Sequence, residues 1–253
     1  MKTAFIITSI IEPDNKYPLT YSSVRSFFSA DERLNQTIST IAAITNIIDL
    51  DTTIYLLDAS NHWEMYAEAL FHQPKLKFIS VKKEFPEIFE AVRTHENKSY
   101  CECTMLSTFL ETYKNELSEF DYTIKISGRY IFHSTFDTTI FNEQNRDKVF
   151  YKTPLCFEWK DSWNYEMVDR RSIENDNVLR QYCSVLFGWG KEQNQHMYGL
   201  LNKVSELLSH SYLRHYDIET LGYYLTRPFK DFIVETKWII SGRNGCTGNF
   251  VRY

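Results

Sequence analysis

The segment Asp121-Tyr122-Thr123-Ile124-Lys125-Ile126-Ser127-Gly128-Arg129-Tyr130 sets two cations around a glycine turn at the end of an apolar run. A strand that stops in such a turn exposes backbone N–H groups beside Lys125 and Arg129, which suits a diphosphate. The plainer alternative is a pair of solvated surface cations, but Lys125 interrupts an otherwise apolar strand, where a charge is costly unless it is used or paired. Two further runs end in polar residues. Phe5-Ile6-Ile7 leads into Thr8 and Ser9, and Ile54-Tyr55-Leu56-Leu57 leads into Asp58. Each of these polar residues taken singly could be an ordinary turn. Together they mark one edge, because ligands of open α/β sheets bind beyond the carboxyl ends of the strands. Near the C-terminus, Ser241-Gly242-Arg243-Asn244-Gly245-Cys246-Thr247-Gly248 spaces glycines by three around Arg243. That stretch reads as a loop able to wrap phosphate or as a disordered tail. None of the seven histidines pairs with another at metal-ligand spacing, and no Ser-His-Asp or Cys-His order has a nucleophile context.

The elements that must carry these residues alternate between strand and helix periods through the first half, which predicts a parallel or mixed sheet covered by helices. Expected strands are Phe5 to Ile10, Thr53 to Leu57, Lys77 to Val81 and Tyr122 to Ser127. A helix from Asp31 to Ile48 carries Leu34, Ile38, Ile41, Thr45 and Ile48 on one face, with a capping box at Ser29-Ala30-Asp31-Glu32. A second runs from Asn61 to Phe71, and a third is marked by Leu106, Phe109, Leu110, Tyr113 and Leu117. In the second half, strands are expected at Lys148 to Lys152 and Tyr182 to Phe187. Helices are expected from Lys191 to Ser209 and from Ile218 to Leu225. Phe157 to Asn177 has no clean period and reads as a binding loop, with Trp159, Trp163 and, further on, Trp189 available to stack on ring-shaped ligands.

At 253 residues with no Gly/Ser/Pro-rich linker, a single α/β domain with an elaborated C-terminal half is expected. The net charge of -5 lacks the basic field on which non-specific nucleic-acid binding relies, so nucleic acid is not an expected partner. No apolar run reaches the roughly 18 residues of a membrane span. The N-terminal run meets Glu12, Pro13 and Asp14 before any cleavage site, so it reads as a buried strand and not a signal peptide. Five cysteines without C-x-x-C spacing argue against a disulfide framework or a zinc cage, and fit a reduced, cytoplasmic chain.

The order of elements, with the matching pieces Ala4-Phe5-Ile6-Ile7-Thr8, Arg33-Leu34-Asn35-Gln36-Thr37, Ile54-Tyr55-Leu56-Leu57-Asp58 and Lys125-Ile126-Ser127-Gly128-Arg129-Tyr130, resembles the GT-A-fold glycosyltransferases. It looks most like small surface-glycan transferases of bacteria and large viruses. The resemblance implies a Rossmann-like mixed sheet flanked by helices, with residues 1 to about 150 binding a nucleotide sugar and 151–253 receiving the glycan acceptor. It implies a donor site of Thr8, Ser9, Arg33, Thr37, Asp58, Lys125, Ser127, Gly128, Arg129 and Tyr130, with Arg243 from the tail. Many GT-A enzymes hold a divalent ion with an Asp-x-Asp after the strand that here ends in Lys125 to Arg129. This chain has none there, and its only Asp-x-Asp, Asp49-Leu50-Asp51, precedes the second strand. The expectation is therefore a metal-independent enzyme that needs no cofactor, with Lys125 and Arg129 offsetting the charge of the leaving diphosphate. An inverting transfer needs a carboxylate base, and the resemblance points to Asp217 or Glu219 at the start of a late helix; both could equally be capping residues. Glu158 and Asp161 are the fallback carboxylates. A sugar-nucleotide nucleotidyltransferase would begin with a glycine-rich phosphate loop, yet no glycine precedes Gly128. A silent carbohydrate-binding module on the same scaffold remains the non-enzymatic alternative. The oligomeric state, the donor base and the sugar leave no mark in the sequence.

Overall fold

The computed structural model describes residues 1–47, 51–73, 75–133, 136–158, 178–210 and 216–252. Ile48, Asp49, Trp159, Asp161 and Trp163 lie outside them. The first half alternates as expected: β1 (Lys2–Ser9), α1 (Ala30–Ile47), β2 (Asp51–Asp58), α2 (Trp63–Leu70) and β3 (Leu76–Ser80). Four helices then follow without an intervening strand, α3 (Val81–Glu84), α4 (Pro86–Thr94), α5 (Lys98–Thr112) and α6 (Lys114–Leu117), before β4 (Tyr122–Ser127) and β5 (Tyr130–Phe132). The second half contains β6 (Val149–Lys152), β7 (Leu155–Glu158), β8 (Val178–Gln181), β9 (Leu186–Gly190), α7 (Asn194–Ser209), α8 (Ile218–Thr226), β10 (Ile233–Thr236), β11 (Ile240–Arg243) and β12 (Phe250–Arg252).

Seven strands form one mixed sheet in the order β10-β6-β9-β4-β1-β2-β3, and only β9 runs against its neighbours. Strands from both halves of the chain share it. After β1 the chain moves outward through β2 and β3, then returns to the other side of β1 as β4. The switch point thus falls between the carboxyl ends of β1 and β4, where a crevice opens in sheets of this kind.

Strand alternation divides the core. Phe5, Ile7, Ile124 and Ile126 pack with Ile41 and Ile44 of α1, while Ala4 and Ile6 pack with Leu106 and Phe109 of α5. By the same period of two, Thr8, Lys125 and Ser127 point to the α5 face. The helix α1 is capped as expected: Ser29 N donates to Glu32 Oε2 at 2.8 Å and Glu32 N to Ser29 Oγ at 3.3 Å. Its innermost stripe, however, is Arg33, Thr37, Thr40, Ile41 and Ile44, with Leu34 and Ile38 only partly buried. The helix therefore turns polar side chains toward the sheet at its N-terminal end.

Two other expectations are corrected. The strand expected at Tyr182 to Phe187 is a crossover loop as far as Val185, and β9 continues through Gly188, Trp189 and Gly190. The glycines permit close approach here and do not break the strand: a Cβ on Gly190 would lie 2.1 Å from the Arg146 carbonyl. Trp189 is consequently fully buried, its Nε1 donating to Asn194 Oδ1 at 2.8 Å, and has no face for a sugar. The C-terminal tail is likewise ordered, as the hairpin β11–β12 added to β5, with Gly248 at φ 71° closing the turn.

Candidate functional site

At the switch point lies a cleft of two connected chambers, which share Lys98, Glu102, Ser127 and Arg129. The smaller is walled by the ends of β1 and α1 and by α4 and α5. The larger opens between α5, the start of α8 and the loop before β12.

One wall is cationic. Arg33 enters from α1, buried to 5% exposure, with its Nε unpartnered and its Nη1 only 3.4 Å from Ser26 Oγ. Burial and the neighbouring Arg129 guanidinium push it down to about 9. Lys98 stands in the first turn of α5, whose N-cap Asn97 accepts from Tyr100 N at 2.9 Å. Burial and Arg129 push its ammonium down to about 8, against the pull of Glu102. Arg129 follows the β4 turn, its Nε donating weakly to the Arg243 carbonyl at 3.4 Å. Among the described residues none of the three has a carboxylate within ion-pair distance. Three like charges held together in a partly desolvated cleft are mutually unfavourable, so an anionic ligand is what would relieve them.

The opposite wall is acidic. Asp217 caps α8, accepting from Thr220 N at 2.7 Å, and also accepts from Gln181 Nε2 at 3.2 Å. Glu219, in the first turn of α8, is held by the Ser184 hydroxyl. Burial, and then the Asp217 carboxylate, raise Glu219 to about 7, while its hydrogen bonds pull the other way. A carboxyl near neutrality can exchange a proton at physiological pH, as a general base must. Asn97 ties the two walls, its Nδ2 donating to the Tyr216 carbonyl at 2.8 Å.

Of the residues singled out from the sequence, Thr8, Ser9, Arg33, Ser127, Arg129, Tyr130, Asp217 and Glu219 line the cleft. Others stand behind it. Asp58 is fully buried with its oxygens taken by Ile11 N and Ser60 N, both at 2.9 Å, so it joins the β1 and β2 loops. Thr37 bonds the Gly128 carbonyl at 3.2 Å, and a Cβ on Gly128 would meet Ile7 and Thr37 at 3.2 Å; both residues fix the turn. Arg243 is turned away, with Nη1 donating to Gly248 O at 3.2 Å in the terminal hairpin.

Lys125 is the main correction. Its ammonium is fully enclosed, 2.5 Å from Glu102 Oε1, donating to Ser184 O at 2.6 Å and Ser127 Oγ at 3.1 Å. The strand period that placed it on the α5 face also sealed it beneath that helix. The cation that faces the cleft from α5 is Lys98, which sequence reasoning missed together with Glu102. A signal was present: the apolar stripe of α5 extended backward from Leu106 by steps of four reaches Glu102 and then Lys98. Ser184 left no comparable trace.

Among the described residues at the end of β4 the carboxylate is Glu102, which is taken by Lys125 and by Thr8 Oγ1, the latter donating at 2.7 Å. Among the described residues no group of three or more His, Cys, Asp or Glu side chains could hold a metal. Asp51 begins β2 opposite Lys2, at the far edge of the sheet. No described helix is long and apolar enough to cross a membrane.

No protein-family model matches the chain, and no curated protein sequence matches it. A similar solved structure is that of the galactosyltransferase LgtC in complex with donor and acceptor sugar analogues. The two are 11% identical over 93% of this chain and 73% of that one, with a TM-score of 0.46.

Proposed function

We propose that the chain is a glycosyltransferase that moves a sugar from a nucleoside-diphosphate sugar to a glycan acceptor, with inversion and without a metal ion. The observation that carries this reading is the cleft's polarity: Arg33, Lys98 and Arg129 stand on one wall with no carboxylate within ion-pair distance among the described residues, and Glu219, raised to about 7, stands on the other. The donor diphosphate lies against the cations, with its sugar toward α8. The acceptor hydroxyl attacks the anomeric carbon as the bond from that carbon to the phosphate oxygen breaks. The bonding pair leaves on the diphosphate, where the cations offset the charge, and the hydroxyl proton passes to Glu219. The resemblance in strand and turn motifs supports the same assignment.

The test is thermal denaturation with a panel of nucleoside diphosphates, followed by transfer assays under exhaustive chelation. A ligand at 100 times its Kd stabilises by about 2.7 kcal/mol, which raises Tm by about 5–10 °C in a chain of this size. A shift with at least one diphosphate and transfer that persists in chelator are expected. No shift with any of them would remove the donor site, and transfer that requires added manganese or magnesium would remove the metal-free mechanism.

A further inference from the structure

The strongest sequence signal, Lys125, has no role in the reaction as drawn, and the crossover loop between β8 and β9 contributes Ser184 to the acidic wall. We infer that Ser184, pinned through its backbone by Lys125, is the positioning residue that orients the Glu219 carboxylate and sets the pH at which it accepts a proton. This rests on the reading of Glu219 as the base.

The connections are continuous. Glu102 Oε1 meets Lys125 Nζ at 2.5 Å, and Lys125 Nζ donates to the Ser184 carbonyl at 2.6 Å. The Ser184 hydroxyl then holds Glu219 Oε1. Lys125 is fully buried and Ser184 is 9% exposed, at the wall of the larger chamber. Lys125 spends two of its three N–H donors on Ser127 and Ser184 and faces a carboxylate with its charge. An ammonium saturated in this way is a strut. It adds to the bonds from Tyr182 N to the Glu219 carbonyl at 3.2 Å and from Ser127 N to the Val185 carbonyl at 3.0 Å in fixing the loop Tyr182–Val185, and it places the Ser184 hydroxyl that bonds Glu219.

The sign of the effect follows from the bond. A hydroxyl that donates to a carboxylate favours the charged form, so its loss raises the carboxyl further and leaves less base at neutral pH. Several other groups around Glu219 oppose ionisation or are neutral. They are Asp217 at its own helix cap, Glu102 and Cys103 on α5, Tyr182 and Cys183 in the crossover loop, and Tyr21 in the N-terminal loop. Lys98 and Arg129 line the same chamber and favour it.

The decisive experiment follows Glu219 directly, by carbon NMR titration of its labelled carboxyl in wild type, Ser184→Ala and Ser184→Thr, beside the pH profile of transfer. In Ser184→Ala the carboxyl should titrate about half a unit to one unit higher, with transfer at pH 7 reduced about two- to fivefold, donor KM unchanged and the acid limb displaced equally. Ser184→Thr, which keeps the hydroxyl, should restore both. Superimposable titrations of Glu219 in wild type and a folded Ser184→Ala would overturn the inference; if the alanine variant does not fold, Ser184→Cys takes its place with the same criterion. A displaced titration in a chain that shows no transfer would uphold the Ser184 assignment and overturn only the reading of Glu219 as a base.

Discussion

The two walls of the cleft are built alike and charged oppositely. Each is opened by a helix N-terminus with a side-chain cap, Asn97 for α5 and Asp217 for α8, and Asn97 bridges them through the Tyr216 carbonyl. Each wall also gathers like charges. On the α5 side burial and then Arg129 depress Arg33 and Lys98, and on the α8 side burial and then Asp217 raise Glu219. They differ in what surrounds them: the cations line the cleft with no carboxylate among the described residues within ion-pair distance, whereas Glu219 is tethered by Ser184 and flanked by the Asp217 cap. The first arrangement can bind an anion by charge alone, and the second can hold a proton acceptor at a chosen orientation. A cleft needs both to move a group from an anionic leaving group to a hydroxyl.

The largest expected effect separates the walls outright. Glu219→Gln keeps the shape and removes the base, so turnover should fall by about a hundredfold to ten-thousandfold while nucleoside diphosphate affinity stays near wild type. Turnover within a few-fold of wild type would break the assignment of the acidic wall. Arg129→Met should do the reverse. Loss of one charge-assisted contact should weaken nucleoside diphosphate binding by about tenfold to a hundredfold, and the loss should shrink as salt is added. Unchanged affinity in calorimetric titration would take Arg129 out of the donor site.

The smallest effect tests how the walls are tuned. Glu219 must be deprotonated to act and Lys98 protonated to attract the donor, so kcat/KM of the free enzyme should rise with pH through about 7 and fall through about 8. Asp217→Asn keeps an acceptor for Thr220 N but removes the charge beside Glu219. The rising limb should move to lower pH with a stability change below about 1 kcal/mol, whereas Asp217→Ala should cost about 1 kcal/mol through loss of the cap. A rising limb that does not move in Asp217→Asn would show that burial alone sets Glu219.

Local pattern carried the framework. Alternation between periods of two and of three to four was enough for β1, α1, β2, α2, β3 and β4, because each buries one face and burial is recorded in every second or every third and fourth residue. Ser29 and Glu32 announced a capping box because both partners of that bond lie within one turn. The acidic start of α8 was legible for the same reason. The strand ends named the switch point, since parallel strands deliver their carboxyl ends to one edge.

What only the tertiary structure decided is which of those polar residues face the cleft. Lys125 and Asp58 sit at strand ends and were expected to meet the donor, but α5 and the turn after β1 close over them. Whether a buried cation is a ligand or a strut depends on what packs above it, and nothing local records that. Lys98 and Glu102 come from a helix that precedes β4 in sequence and crosses behind β1, so their approach to Arg129 depends on the order of strands in the sheet. The extension of β9 through Gly188 and Gly190 depends on how closely the neighbouring backbone approaches, which local pattern does not record. Ser184 had no signal at all: its role is one hydroxyl placed by the carbonyl of the same residue against a carboxylate 35 positions away. Amphipathic periods follow from burial and are written residue by residue, whereas a site is a set of long-range distances, and those exist only once the sheet has been assembled.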